Sequence, residues 1–452
     1  IFDETAVVGV QEFASRLQSG IVPTFARWAD FQAGVEIPEE QKSEVNLQLD
    51  KITEYVFEIL QNSNFNQEVH EAFMDLAVGT GCMLVEEGDA VNPVKFTAVP
   101  LPKVCLLNGP DGKIDTVYRT RKVKPEHIRV LYPKAVMPEN FNLLQQKKEL
   151  TIIEAVYKIY QDNEEKYKYC VVLDNPKAVI FEEEYTGEGS NPYLVFRWNK
   201  ASGEVYGRGP IFNAMGAIKT CNLTVELILQ NAQMSVSGVY TYEDDGVINP
   251  DNIALVPGSL IPVAPGSRGL SAIQSASNFD VAQLVLNDMR QNIKKALYME
   301  ALGRPEGTPM TATEVSERMA DLSRQIGSSF GRLQSEFIHP LLKRIIRILS
   351  KQGRIELPKV NGREVKIGAR SPLAQAQHMQ DVSDVNRFNE IIAGTFGPQM
   401  INVIVNQNET AKYLAQKMNL PEKLIRDEEE QKQIIQQISQ LQTAPKEGEI
   451  PQ

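Results

Sequence analysis

The sequence predicts an α+β protein that is mainly helical, with long helices on both sides of a β-rich section. Three observations support this fold class. Apolar residues recur at helical spacing over roughly residues 1–90 and again from residue 208 onward. Short β-rich runs separated by turn residues fill 91–205. Two long helical patterns bracket an insert, 238–276, that is dense in proline and glycine. With 452 residues, the chain can hold two or three domains.

The composition is that of a globular, acidic protein. Its 47 Lys and Arg residues face 58 Asp and Glu residues, for a net charge of −11. Tight nucleic-acid binders usually carry a basic excess, so we expect this chain to hold any DNA loosely. The four cysteines and four histidines are scattered, so we expect no metal site, no cofactor and reduced thiols. The sequence has no apolar run of about 18 residues and opens without a basic-then-apolar leader, which predicts neither a membrane span nor export.

Motifs of nucleotide or hydrolytic chemistry are missing from the sequence. It contains no G-x-x-x-x-G-K-[ST] loop, no H-E-x-x-H and no G-x-S-x-G. Gly79-Thr80-Gly81 follows a helical pattern and lacks the third glycine of a dinucleotide loop, so we interpret it as a helix-to-strand turn. The runs Glu182–Glu184 and Glu428–Glu430 are either cation sites or solvated charged faces, and charge runs are usually the latter.

The first two hundred residues combine both periodicities. Helical spacing predicts a helix from the apolar positions Val45, Leu49, Ile52, Val56 and Ile59. The pattern continues over 65–78. Strands are predicted within 91–107, 113–123, 150–160, 167–173 and 193–198. Turn residues such as Asn108–Gly112 separate them, which is typical of a small antiparallel domain.

A pair of long helices is predicted next. Gly209-Pro210 starts the first, because proline fits a first helical turn. Its predicted seam consists of Ile211, Met215, Ile218, Asn222, Val225, Leu229, Ala232 and Val236, alternating spacings of four and three. The second helix covers about 278–300, with Arg290, Lys294 and Lys295 on its polar side. These three residues are either a DNA contact or an ordinary solvated face, and the spacing alone favours the latter.

The third predicted region begins with a loop at 301–311. A helix follows with one apolar stripe formed by Val315, Met319, Leu322, Ile326, Phe330, Leu333, Phe337, Leu341, Ile345 and Ile348. Gly327, Gly331 and Pro340 predict a bend, and Gly353 predicts its end. A β-like piece at 354–367 and helices at about 371–394, 398–406, 408–418 and 421–442 complete the chain. The seam of 211–236 and the stripe of 315–348 offer more apolar surface than one subunit can bury, so we expect a closed ring.

Two stretches of sequence resemble the portal family, specifically the head-to-tail connectors of T7-like podoviruses. One is Val205-Tyr206-Gly207-Arg208-Gly209-Pro210 leading into a long helix that contains Asn222. The other is Pro309-Met310-Thr311-Ala312-Thr313-Glu314-Val315, which opens a long helix running through Gly331–Glu336 to His339–Leu342. The resemblance extends over most of 1–420 and is weakest in the C-terminal tail.

The resemblance implies the portal fold, assembled as a ring of twelve subunits, a dodecamer, around a central tunnel. It assigns a part to each segment: wing (1–206, a helical start and then a β-rich subdomain), first stem helix (207–237), clip (238–276), second stem helix (277–300), tunnel loop (301–311), long wing helix and return (312–370), and crown with C-terminal extension (371–452). Such a subunit is a structural protein of the virion at the portal vertex, assembled in the host cytoplasm, and not an enzyme.

The resemblance also implies sites and partners. The DNA channel would involve stem and tunnel-loop residues, namely Arg290, Lys294, Lys295, Gly303, Arg304, Pro305, Glu306, Gly307 and Thr308. The clip would dock partners through Tyr240, Tyr242, Asp244, Asp245, Asn249 and Asp251. The expected partners are further copies of the chain, sequence-independent double-stranded DNA, the large terminase subunit, a tail adaptor protein, the major capsid protein, and scaffolding or internal core proteins.

Two other classes of function stay open at this stage. The β-rich section 91–205 could be the catalytic centre of an enzyme of unknown type. Alternatively, the helical bundles could form a virion scaffold or adaptor protein without a DNA channel. Images of the purified protein would separate these hypotheses, since only a portal needs a ring with a hole wide enough for duplex DNA.

Overall fold

The computed structural model describes residues 1–25, 27–32, 39–139, 141–144, 148–160, 165–237, 240–241, 271–272, 279–299, 326–358, 366–369 and 372–418. Over these ranges the protein mixes helices with antiparallel sheets, which confirms the predicted α+β class. None of the helices in the described ranges is both long and apolar enough to cross a bilayer.

Long helices dominate the two ends of the chain and the hairpin near its middle. The described helices are α1 (Thr5–Ile21), α2 (Glu39–Asn62), α3 (Phe65–Val78), α4 (Pro125–Leu131), α5 (Phe141–Leu144), α6 (Pro210–Ser237), α7 (Phe279–Ala296), α8 (Gly327–Leu333), α9 (His339–Lys351), α10 (Pro372–Phe396), α11 (Ile401–Ile404) and α12 (Gln407–Lys417). The helices predicted over 45–60, 65–78 and 211–236 are therefore confirmed.

Within the described residues the strands are short and pair antiparallel. The described strands are β1 (Ala29–Gln32), β2 (Thr80–Glu87), β3 (Val94–Ala98), β4 (Val104–Asn108), β5 (Ile114–Val123), β6 (Leu150–Ile159), β7 (Lys166–Leu173), β8 (Ala178–Thr186), β9 (Tyr193–Arg197), β10 (Tyr240–Thr241), β11 (Ser271–Ala272) and β12 (Lys366–Ala369). They form sheets with the orders β4-β5-β6-β7-β8, β3-β2-β9, β1-β12 and β10-β11.

The five-stranded sheet is a meander, because each strand pairs with the strand before it in sequence. Side chains alternate between its two faces, and along β7 buried and partly exposed residues alternate without exception. The antiparallel strands predicted within 91–205 are confirmed, but β3 and β9 belong to the three-stranded sheet with β2 and not to the meander. The short helices α4 and α5, which the sequence analysis did not predict, interrupt it between β5 and β6.

The main core lies between α1, α3, one face of the three-stranded sheet and the α8–α9 helix. Seven members of the predicted long-helix stripe fall within the described residues, and all are buried there: Ile326, Phe330, Leu333, Phe337, Leu341, Ile345 and Ile348. Phe337 lies 4.5 Å from Phe196 of β9, measured between ring centroids. The stripe is thus covered within the chain over 326–348. The expectation that this part supplies subunit contacts is wrong, because the sheet and α3 already bury it.

The long helix is irregular where its sequence is weakest. Between α8 and α9 the backbone forms a π-helical segment at Gln334–Ile338. This segment lies between Gly331 and Pro340, two residues that weaken an α-helix and were expected to bend it. The helix stops where Gly353 adopts a left-handed φ of 68°, as predicted. The predicted start of this helix, 312–325, lies outside the described residues.

Glycines allow the end of α3 to contact the segment that leads into α6. A Cβ atom on Gly79 would lie 2.1 Å from the carbonyl oxygen of Gly207, which no side chain tolerates. The Gly209 N–H donates to the Val78 carbonyl at 2.9 Å, and the Gly207 N–H donates to Thr80 Oγ1 at 2.8 Å. The glycines of the 205–210 motif therefore have a packing role, and Gly79-Thr80-Gly81 is the helix-to-strand turn that was predicted.

The C-terminal part packs lightly on the rest of the chain. Helix α10 contacts α12, where Lys417 lies 2.5 Å from Asp381. Strand β12 pairs with β1 across more than three hundred residues of sequence. The segment predicted as one helix over 398–406 is instead a 3₁₀ turn, Pro398–Met400, followed by the short α11. The predicted helix at 421–442 lies outside the described residues.

Candidate channel hairpin

Helices α6 and α7 pack on each other and form a hairpin. Beyond the end of α6, Tyr240 and Thr241 pair antiparallel with Ala272 and Ser271, a few residues before α7 begins. The chain therefore leaves and re-enters the hairpin at one place. The predicted insert 238–276 is bracketed in this way, although most of it lies outside the described residues.

Small residues on α6 meet larger ones on α7 along the packed face. The buried members of this hairpin core are Ala214, Cys221, Leu286, Ile293 and Leu297. Of the predicted seam, Ile218 and Val225 pack against this core, whereas Met215 and Leu229 are exposed. The predicted helix is thus correct and the predicted seam is only partly correct. Met215 and Leu229 lie toward the edge of the packed side, about 60–100° around the helix from Ala214.

The opposite side of α6 carries an apolar ridge. Its members are exposed to the extent of 54% for Phe212, 40% for Met215, 56% for Leu223 and 55% for Leu227. At about 100° per residue, Phe212, Leu223 and Leu227 lie across the helix from Ala214 and Cys221, and Met215 lies between the two sides. A helix with apolar residues on two opposite sides needs cover on both. The hairpin core covers one side, and we call the exposed set the α6 ridge.

The exposed row of α7 is polar. It consists of Gln283, Asn287, Gln291 and Lys294, with Lys295 beside it. Gln283 donates a weak hydrogen bond to Asn287, at 3.4 Å. Leu284 and Val285, which are exposed on other sides of the helix near its start, are exceptions to this polarity. The exposed side of α6 therefore carries an apolar ridge beside polar residues such as Lys219 and Gln230, whereas the exposed row of α7 is amide and ammonium.

The predicted channel residues on α7 have different environments. Arg290 forms an ion pair with Asp3, with its Nε 2.9 Å and one terminal nitrogen 2.8 Å from Asp3 Oδ2. Lys294 and Lys295 are exposed in the last turn of α7, where a positive charge is favourable at the carboxyl end of a helix. Of the predicted clip residues, only Tyr240 is described, as part of β10. The others, and 303–308, lie outside the described residues.

Two residues that the sequence analysis did not single out as functional join the N-terminal segment to the hairpin. The Asn222 carboxamide oxygen accepts hydrogen bonds from the backbone N–H groups of Phe2 (2.7 Å) and Asp3 (3.4 Å). Asp3 is 9% exposed and contacts Arg290 at the same level of the hairpin. In the sequence, Asn222 belongs to the predicted seam and to the first stretch that resembles the portal family, but neither pattern indicates its hydrogen-bond partners. No local pattern marks Asp3, since its partners are more than two hundred residues away.

The electrostatics of this contact favour the ionised carboxylate. Burial raises the pKa of Asp3, but hydrogen bonds from Thr5 and from the Arg290 guanidinium outweigh burial, and the pKa lies below its usual value. Burial also raises the pKa of the Cys221 thiol in the hairpin core. Cys221 thus lies in the hairpin as a protonated, buried packing residue.

The β-rich section contains a buried polar cluster centred on Glu154. This carboxylate is 1% exposed and accepts hydrogen bonds from Tyr132 (2.6 Å), Tyr193 (2.7 Å) and Arg121 (3.1 Å). Arg119, opposite it on β5, lies 3.4 Å away. Burial, followed by the charge of Glu154, raises the pKa of the Tyr132 and Tyr193 hydroxyl groups, which stay protonated as donors. Together these contacts form a buried network that joins β5, β6 and β9 to Tyr132 at the end of α4.

A polar cleft of about 520 Å³ lies nearby, between β8, the end of β2 and α9. Two of its basic residues have partners within the protein. Lys351 lies 2.5 Å from Glu87, and the Arg344 guanidinium donates to the backbone carbonyl oxygens of Val85 and Ser190. Within the described residues, no group of three or more His, Cys, Asp or Glu side chains converges to hold a metal ion.

The chain belongs to the family of bacteriophage head-to-tail connecting proteins, whose family model matches residues 1–425. The resemblance noted from the motifs at 205–210 and 309–342 is thereby confirmed. The class is that of phage structural proteins at the junction of head and tail.

Individual relatives carry the name portal protein. The chain is 23% identical over 418 residues to the probable portal protein of Bordetella phage BPP-1, covering 86% of this chain and 73% of that protein. It is 21% identical over 366 residues to the portal protein of Escherichia phage T7, covering 78% of this chain and 66% of that protein. The portal protein of Salmonella phage epsilon15 is 23% identical over 410 residues, covering 83% and 71%.

Among solved structures, a chain from the neck of an empty gene transfer agent particle superposes with a TM-score of 0.38 at 13% identity, over 91% of this chain and 90% of that one. A chain from the virion of a native gene transfer agent particle gives 0.40 at 11% identity, with 92% coverage of both.

Proposed function

We propose that this protein is the repeating subunit of a ring-shaped portal that passes double-stranded genomic DNA into and out of a phage head. The observation that carries this proposal is the asymmetry of the hairpin. The α6 ridge is apolar and exposed, and the outer row of α7 is polar and exposed. In a closed ring, α6 packs on the neighbouring subunit and α7 faces the tunnel, so both surfaces find a suitable environment.

The parts of the portal follow from this arrangement. The α6–α7 hairpin would be the stem (207–237 and 277–300), and the insert 238–276 would be the clip at its tip. The main core and the five-stranded sheet, within 1–206 and 312–370, would form the wing. The tunnel loop would be 301–311 and the crown 371–452. Support comes from the family match and from the hairpin, which brackets its insert at the β10–β11 pair.

The acidic charge of the subunit suits a channel rather than a tight DNA-binding protein. A net charge of −11 on every copy repels phosphates and limits sticking, so that DNA can slide. Lys294 and Lys295 would supply weak contacts to phosphates, and Arg304 with Glu306 would present both signs of charge at the tunnel loop. Arg290 would act differently from its two neighbours, because Asp3 already engages it.

The partners would follow the path of the DNA. The clip would dock the large terminase subunit during packaging and the tail adaptor afterwards. The wing would contact the major capsid protein, and the crown would face scaffolding or internal core proteins. We propose no catalytic role for the chain. In support, the Glu154 carboxylate is enclosed by donors in the β-domain core and does not line the polar cleft.

The channel proposal is tested by charge reversal. In purified assembled protein, Lys294→Glu with Lys295→Glu should weaken binding of duplex DNA without changing assembly, most clearly at low salt, where phosphate contacts are least screened. The matched control is Lys177→Glu, an exposed lysine between β7 and β8.

Equal DNA binding by the double variant, the control and the wild type across a salt series would contradict a role for α7 in the channel. Arg304→Glu extends the same test to the tunnel loop. Particles with no central hole in end-on images would favour a helical scaffold or adaptor instead.

A further inference from the structure

The end of α7 is capped by a turn that normally requires glycine. The Met299 N–H donates to the Lys294 carbonyl at 2.9 Å, and the Tyr298 N–H donates to the Lys295 carbonyl at 3.1 Å. These two bonds define a Schellman cap, in which the residue after the helix end adopts the left-handed conformation. Here that residue is Tyr298, with a φ of 58°. It is the one non-glycine residue with positive φ in the described part of the chain.

A tyrosine in this conformation has an energetic disadvantage over glycine, because its Cβ crowds the following carbonyl group. The packing of its side chain explains why a tyrosine occupies this position. The Tyr298 ring lies 5.8 Å from the Trp198 ring, which in turn lies 5.2 Å from Phe13 of α1. Tyr298 thus packs against the main core, a contact that glycine could not make.

At this turn, two consecutive residues pack into two different cores. Leu297 is fully buried in the hairpin core, and Tyr298 packs on the main core. The reversal of φ between them sends one side chain to each side. We call residues 297–299 the joint, since it is here that the hairpin is fixed to the main core by both backbone and side chains.

Helix α1 holds the joint from a third direction. A Cβ atom on Gly9 would lie 2.5 Å from Leu297 Cδ1, so α1 approaches the joint as closely as a glycine permits. The Arg16 guanidinium donates to the Met299 carbonyl oxygen. The joint is therefore restrained by the α7 backbone, by Trp198 and by α1 together.

We infer that Tyr298 is a positioning residue that fixes the angle between the α6–α7 hairpin and the main core. The inference rests on the proposed function, in which the hairpin is the stem of a ring. A ring closes with one number of subunits only when each copy presents its two contact surfaces at a fixed rotation. Because the α6 ridge lies on the hairpin, the joint helps to set that rotation, together with the glycine contact at the start of α6. The joint also sets the direction in which the chain leaves α7 toward the segment predicted as the tunnel loop.

Three substitutions separate positioning from simple packing. Tyr298→Gly keeps the left-handed turn but removes the anchor on Trp198. Tyr298→Ile keeps apolar bulk but, being β-branched, strongly disfavours the turn. Tyr298→Phe keeps both the turn and the ring, and serves as the control. All three are compared with the wild type in the full-length assembled protein.

Native mass spectrometry should give one ring size for the wild type and for Tyr298→Phe, and a mixture of ring sizes for Tyr298→Gly. Hydrogen exchange at the backbone amides of positions 298 and 299 should be about tenfold faster in Tyr298→Ile than in Tyr298→Gly. The reason is that a β-branched residue populates the left-handed conformation about tenfold less than glycine does.

Two results would overturn the inference. One is a single, unchanged ring size in Tyr298→Gly, with only a lower melting temperature, which would make Tyr298 a packing residue. The other is exchange as fast in Tyr298→Gly as in Tyr298→Ile. If the wild type forms no ring, the proposed function fails, and the exchange measurement alone still decides whether the joint depends on its left-handed turn.

Discussion

The α8–α9 helix and α6 both carry apolar residues at helical spacing, but the two helices differ in whether this chain covers those residues. The described stripe of α8–α9 is buried within the chain, between the three-stranded sheet and α3. Helix α6 buries one apolar side on α7 and leaves the α6 ridge exposed. The difference teaches that an apolar period shows which face of a helix needs cover, but not whether the same chain supplies it.

The first test of this comparison is a truncation in the buried helix. Phe337→Ala removes a ring that packs on Phe73 and Phe196, and it should lower the free energy of unfolding by about 3–5 kcal/mol. The matched change on the other helix, Leu227→Ala, should stay within about 0.5 kcal/mol because Leu227 is exposed in the subunit. Denaturant unfolding of dissociated subunits measures both. Similar losses for the two variants would remove the distinction between the helices.

The second test concerns assembly rather than stability. Leu223→Asp with Leu227→Asp places two carboxylates on the α6 ridge, where an apolar neighbouring surface would have to bury them. Subunits should keep their circular dichroism spectrum but fail to form the large oligomer in sedimentation velocity. Asp at Val130, an exposed apolar residue of α4, is the control for adding charge elsewhere. Normal assembly of the ridge variant would show that α6 is not a subunit contact.

A smaller effect is expected where the N-terminal segment meets the hairpin. Asp3→Asn removes the charge that pairs with Arg290 and should cost about 1–3 kcal/mol. The pKa of Asp3 is lowered in the folded protein, so its contribution is present above the unfolded-state pKa and is lost as the pH falls through the folded value. The wild type should therefore lose its advantage over Asp3→Asn in strong acid. A constant difference between the two at every pH would contradict the ion pair.

Much of this fold could be predicted because its helices have clear apolar periods. Local signals predict one terminus of each of three helices: Gly79 marks the end of α3, Gly209-Pro210 the start of α6 and Gly353 the end of the long helix. The five-stranded meander follows from alternating β-rich runs and turn residues. Periodicity failed where one helix has two apolar sides, since the exposed Phe212, Leu223 and Leu227 lie outside the predicted seam of α6.

Long-range contacts of the candidate site could not be predicted in this way. The Asp3–Arg290 ion pair joins residues that are 287 positions apart in the sequence, and β1 finds its partner β12 only in the folded protein. Tyr298 gives no local signal either, because tyrosine does not favour a positive φ. Only the need to place Leu297 and Tyr298 in two different cores explains its conformation.

The central claim is that the α6 ridge is covered by a neighbouring copy of this chain in a closed ring. Native mass spectrometry of the purified wild-type protein at micromolar concentration, with end-on electron micrographs of the same sample, tests it most directly. The account predicts one closed oligomer, expected to be a dodecamer, with a central hole wide enough for duplex DNA. A stable monomer, or an oligomer without a hole, would contradict it.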